Sequence, residues 1–132
     1  MAGIEIENRT FKLTSGQTDM VIYTVARLDT SNQDQVVNPS SECGQLAGVL
    51  RDTTLEDGKE GNFVCAGVAQ VKIASAVSIG DKLVVADTAG RVKTKPAAIA
   101  SGTGIVGQAL QAGTSANSLV WCRLEIPEEH TS

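Results

Sequence analysis

Apolar residues in this chain alternate with polar ones or gather in short runs, each closed by Gly, Asp, Asn or Ser, and helical spacing is nearly absent. A period of two buries one side of a strand rather than one stripe of a helix. The expected fold is therefore mainly β, a small single-domain barrel or sandwich of short antiparallel strands. Candidate strands are residues 20–27, 35–38, 46–51, 61–66, 69–73, 82–86, 91–94, 105–109 and 118–126. Their turns carry fitting chemistry: Asp57-Gly58 and Ala89-Gly90 tolerate positive φ, and Asp29 and Asn32 can bond their own backbone.

The two ends differ from the middle. Residues 1–19 are polar and turn-rich apart from Ile4, Ile6, Phe11 and Leu13, and are expected to form an extended N-terminal arm ahead of a β domain at 20–126. Pro127 ends the last strand and leaves 127–132 as a flexible tail holding the single histidine, His130.

Composition narrows the function classes. A chain of 132 residues makes one domain, burying about two thirds of its unfolded surface. With 42% hydrophobic but only 3% aromatic residues, the core must come from Val, Ala, Leu and Ile, with Trp121, Tyr23, Phe11 and Phe63 as its large pieces. A formal charge of −4 and scattered Lys and Arg argue against direct nucleic-acid binding. Neither a long apolar run nor a signal-peptide pattern in MAGIEIENRTF stands out, so no membrane role and no export are expected. Cys43, Cys65 and Cys122 lie far apart without a CxxC and read as reduced packing thiols, the alternative being one disulfide and a free thiol.

Reactive constellations are hard to assemble from these residues. A nucleophile needs a positioned base, and His130 lies two residues from the end. The carboxylates of RDTTLEDGKEG (Asp52, Glu56, Asp57, Glu60) read as a solvated loop and lack the order of a calcium site. SGTGIVG, residues 101–107, leads into a strand rather than a helix and reads as a turn, not a phosphate cradle. No catalytic, cofactor-binding or metal-binding set is expected, and no enzymatic activity.

Trp121 lies on LVWCRLEI, where Leu119, Trp121, Arg123 and Glu125 share one face and Val120, Cys122, Leu124 and Ile126 the other. The second face is core. On the first, Trp121 and Arg123 are candidates for a subunit contact, since interfaces favour these types, although a lone Trp also anchors small cores.

The sequence echoes itself weakly. Asp29-Thr30 and Asp87-Thr88, Gly48 and Gly107, and Cys65 and Cys122 recur at spacings of 57 to 59. A duplicated unit and a coincidence of turn composition both account for this.

In order, RLDTSNQDQVV, GQLAGVL, VCAGVAQVKI, IGDKLVVADTAGRV, GIVGQAL and VWCRLEI resemble the capsid decoration, or cement, proteins of tailed bacteriophages, of the lambda head-decoration kind. The resemblance spans about residues 20–126 and rests on Gly80-Asp81 leading into a strand, the hairpin at 87–90, the Gly-bearing strand at 104–110 and the closing strand at 118–126. It implies a β-rich homotrimer on the outside of an assembled head, at local threefold positions, bridging major capsid protein subunits against the pressure of packaged DNA. It places the protein in the virion after assembly in the host cytoplasm. Ile4, Ile6, Phe11 and Leu13 are expected to form a capsid-binding arm. A tail or baseplate β domain and a small trimeric β-barrel enzyme are the alternatives.

Overall fold

In the computed structural model, which describes residues 6–130, every regular element is a strand. These are β1 (Glu7–Leu13), β2 (Met20–Val21), β3 (Val25–Leu28), β4 (Gln35–Val37), β5 (Leu46–Leu50), β6 (Thr54–Leu55), β7 (Glu60–Ala66), β8 (Val68–Lys72), β9 (Lys82–Val85), β10 (Val92–Thr94), β11 (Gly107–Ala109) and β12 (Leu119–Leu124). Five of them close a barrel in the order β1-β4-β3-β5-β7, and five more form a second sheet in the order β10-β9-β11-β12-β8.

The two sheets repeat one plan. In each, a hairpin (β3-β4, β9-β10) is followed by an antiparallel strand (β5, β11) and a longer one (β7, β12). A further strand, β1 or β8, runs antiparallel to that last strand. It meets the hairpin's second strand in parallel, at Leu13↔Val36 in the barrel and at Ile73↔Val92 in the second sheet. Backbone bonds recur one for one. Tyr23 N donates to Leu50 O as Gly80 N does to Ala109 O, Arg51 N to Asn62 O as Leu110 N to Trp121 O, and Leu13 N to Lys59 O as Ile73 N to Ser118 O. By these bonds the sequence echo is a structural repeat. Gly48 and Gly107 are twins, both tight against the neighbouring strand's backbone, but Cys122 answers to Phe63 rather than to Cys65.

The expected N-terminal arm is, over residues 7–13, a wall of the first barrel. Leu13 is fully buried and Phe11 nearly so, its ring edge-on to Phe63 at 5.7 Å with the Arg9 guanidinium 5.5 Å from its centroid. Two inward apolar residues are enough to seat a strand whose other side faces water, and this sparse pattern is what the sequence shows. Phe11 and Leu13 are thus core residues and are not available for docking.

The expected tail is likewise tied down as far as residue 130. Ile105 N donates to Glu128 O, His130 N to Thr103 O and Gly102 N to His130 O. Because 101–105 runs alongside this segment, Pro127 does not release the chain.

Phe11, Leu13, Ala26, Val36, Leu50 and Phe63 fill the first barrel. Val25, Leu46, Val49 and Val64 project from its outer wall and bury against the second sheet, whose inside holds Val71, Ile73, Leu83, Val85, Val120 and Cys122. The second sheet, its ends linked by the single Ile73↔Val92 bridge, is an incompletely closed second barrel, and it is fused to the first through an apolar seam as well as by the chain.

Candidate functional site

The seam is also bonded, through a breach in the second barrel. In the first barrel Lys12 N donates to Asp34 O and closes the wall between β1 and β4. The twin groups, Lys72 N and Gly90 O, do not meet. Lys72 N donates to Tyr23 O and Gly90 O accepts from Val25 N, so the segment 23–25 of the first barrel is spliced between β8 and the start of β10. Gly90 lies at φ +84°, and a Cβ there would stand 2.6 Å from Val25 O, so only glycine leaves room for the splice.

The splice explains why the expected strand over 20–27 is broken. Tyr23 has φ +71°, a left-handed conformation uncommon for an aromatic residue, whereas its twin Gly80 adopts φ +90° freely. Thr24, fully buried, steadies the turn by donating its hydroxyl to Val21 O. Strain of this kind persists where its surroundings over-determine it and clusters at ligand-contacting sites.

Tyr23 lines a groove of about 270 Å³ along the seam, together with Ile6, Ile22, Arg51, Gln70 and Trp121, floored by Val49, Val64 and Ala69. Ile6 is 53% exposed and Trp121 42%, with Leu119 and Leu110 exposed beside them. Trp121 stands opposite Gln70, Leu119 opposite Lys72 and Arg123 opposite Val68. The twin place on the first barrel is polar: Asn62 occupies the position of Trp121, with the Thr10 hydroxyl bonded to its amide oxygen.

Sequence-expected site residues thus separate into two groups. Ile6 and Trp121 share one groove, with Arg123 exposed on its flank. Phe11 and Leu13 lie inside the barrel, and Ile4 lies outside the described residues. Nothing local in the sequence marks Tyr23, Arg51 and Gln70 as its partners, because only the fold brings these distant positions together.

The remaining polar features are internal fastenings. Lys82 pairs with Glu125, Arg91 with Asp87 and Lys93 with Glu42, so the outer cations of the β9-β10 hairpin meet carboxylates of the same chain. Asp29 accepts from the Thr14 hydroxyl, the Asn32 amide and Ser31 N, and these bonds hold its carboxyl down at about 2. Cys43, Cys65 and Cys122 are free thiols; burial raises Cys65 and pushes Cys122 up to about 12. Among the described residues no cluster of three His, Cys, Asp or Glu is placed to hold a metal.

A sequence profile for phage cement proteins matches residues 15–124. No curated protein sequence matches. Among solved structures, the fold is similar to that of the head fiber gp8.5 N base of bacteriophage phi29, with a TM-score of 0.66 at 12% identity, over 97% of this chain and 100% of that one. The profile covers every strand from β2 to β12, the one that carries Trp121 included, and this chain belongs to the phage cement protein family, a structural component of the virion.

Proposed function

We propose that the protein decorates the outer surface of the assembled phage head as a homotrimer at local threefold positions, bridging major capsid protein subunits and holding their seams shut against the packaged DNA. The observation that carries this reading is the exposed apolar groove at the seam, where Ile6 and Trp121 meet in a family of cement proteins. Trp121, Tyr23 and Arg51 are the residue types that anchor protein interfaces. The structural likeness to the base of a head fiber favours the head over the tail or baseplate.

On this reading Ile6, with Ile4 upstream, and Trp121 with Arg123 all serve the capsid contact. A subunit burying about 800 Å² of its own surface would dock specifically. Three linked sites would exceed one by a factor of about 10² to 10⁴ in avidity. The shell then opens only after these contacts break.

The test is co-sedimentation with expanded capsids followed by electron microscopy. Density on the outer shell between capsomers, together with a light-scattering mass of three chains, is the expected result. Density at the tail, or no co-sedimentation, overturns the reading.

A further inference from the structure

The groove has a chemistry that defines what it takes. Its volume, about 270 Å³, falls below the roughly 300–1,000 Å³ of pockets that enclose a whole small molecule. It suits a side-chain anchor instead. Floor and walls are apolar or aromatic, from Val49, Val64, Ile22, Tyr23 and Trp121.

The rim is basic. Arg51 lines the groove, Lys72 follows Gln70 on the same strand face, and Arg123 follows Trp121. Among the described residues none of these three cations makes an ion pair, although Lys82, Arg91 and Lys93 all do. Two of the carboxylates nearby are engaged elsewhere: Asp52 accepts from Asn62 N, and Glu125 holds Lys82. Glu7, next to Ile6, lies within electrostatic reach of Cys65, as does Arg9. In a chain of net charge −4, three cations that pair with no described carboxylate around one apolar groove form a local field opposite in sign to the whole. A wide apolar floor with so few cations fits a peptide better than a nucleic-acid backbone, which needs many phosphate contacts.

We infer that the groove receives an extended acidic segment of the capsid partner, with one aliphatic or aromatic side chain seated between Tyr23 and Trp121 and its flanking carboxylates on Arg51, Lys72 and Arg123. This rests on the capsid-docking reading for the source of the segment, while the chemistry of the groove stands on the structure. The strain at Tyr23 then has a use: the left-handed turn sets an aromatic ring where the twin turn has Gly80.

The experiment is selection of a random-peptide display library against the full chain, followed by titration of the selected peptides while the emission of the only tryptophan is recorded. Peptides with Asp or Glu around a central Leu, Ile, Phe or Trp are expected. Their binding should shift Trp121 emission to the blue for Trp-free peptides, weaken with salt, and fall at least tenfold in Trp121→Ala and in the charge-reversed Arg51→Glu/Arg123→Glu variant. Selection of basic peptides, equal binding by both variants, or displacement of the peptides by single-stranded DNA overturns the inference. Capsid sedimentation separates the two claims. If Trp121→Ala still binds capsids fully, the groove assignment fails and the head reading survives; if acidic peptides occupy the groove but wild type ignores capsids, the head reading fails.

Discussion

The two barrels carry the same strand order and the same backbone bonds, yet the first closes on itself and the second closes around a piece of the first. At the closing point Lys12 N reaches Asp34 O directly, whereas Lys72 N and Gly90 O are joined through Tyr23 and Val25. Their interiors differ too. The first is built around Phe11 and Phe63, while the second is filled by aliphatic residues and Cys122, with its aromatic residue, Trp121, outside. A repeated unit has thus been used twice for different ends, once as a self-contained core and once as a partner that supplies the outward surface.

Twin substitutions turn this difference into measurements. Phe63→Ala should cost about 3–5 kcal/mol of unfolding free energy in urea, as for a large core aromatic. Its twin, Cys122→Ala, should cost about 1 kcal/mol, nearer the ordinary mutational mean. Equal losses would mean that the first barrel does not depend on its aromatic pair. Because burial holds the Cys122 thiol near 12, alkylation at neutral pH should reach it only on unfolding.

Gly90→Ala adds a Cβ against Val25 O at a left-handed position and should cost about 3 kcal/mol, combining a left-handed penalty with a backbone clash. Asp34→Gly, the reciprocal change at the closed twin (φ +58°), should leave stability within about 1 kcal/mol of wild type. Comparable losses from the two changes would remove the splice as the point of difference.

Acid should act on the first barrel's hairpin through Asp29, a position that the counterpart hairpin fills with Ala86. The native carboxyl, at about 2, binds its proton less readily than the unfolded one at 3.8. Its contribution is therefore fully present above the unfolded value and is lost as pH falls towards 2. Asp29→Asn should flatten that limb of the stability profile, and an unchanged acid limb would place the sensitivity elsewhere.

The smallest effect expected is that of Tyr23→Gly, which gives the first barrel the residue of its twin. Relief of the left-handed strain and the added freedom of the unfolded chain oppose each other, leaving stability within about 1 kcal/mol. Capsid binding should nevertheless weaken, because the aromatic wall is gone.

Much of this is legible in the local patterning of the sequence. Short alternating runs marked the β fold, and LVWCRLEI separated the exposed Trp121 and Arg123 from the buried Val120, Cys122 and Leu124. The cement resemblance agrees with the family profile. Three things were hidden for physical reasons. β1 shows only two inward apolar residues, so a barrel wall reads as an arm. Tyr23 is a good strand former by propensity, and nothing local announces that tertiary contacts will hold it left-handed. The groove joins residues 6, 23, 51, 70 and 121, and no spacing rule links positions that only a seam brings together.

The spliced segment also orders events in time. Residues 7–66 hold every strand of the first barrel, so that half can close its own sheet as soon as it leaves the ribosome, with Tyr23 O and Val25 N still open. The second half cannot do the same, because two of its closing partners, Tyr23 O and Val25 N, belong to a structure made earlier. A fragment of the second half alone would lack its keystone, while one of the first half would keep a closed barrel with an uncovered apolar wall at Val25, Leu46, Val49 and Val64.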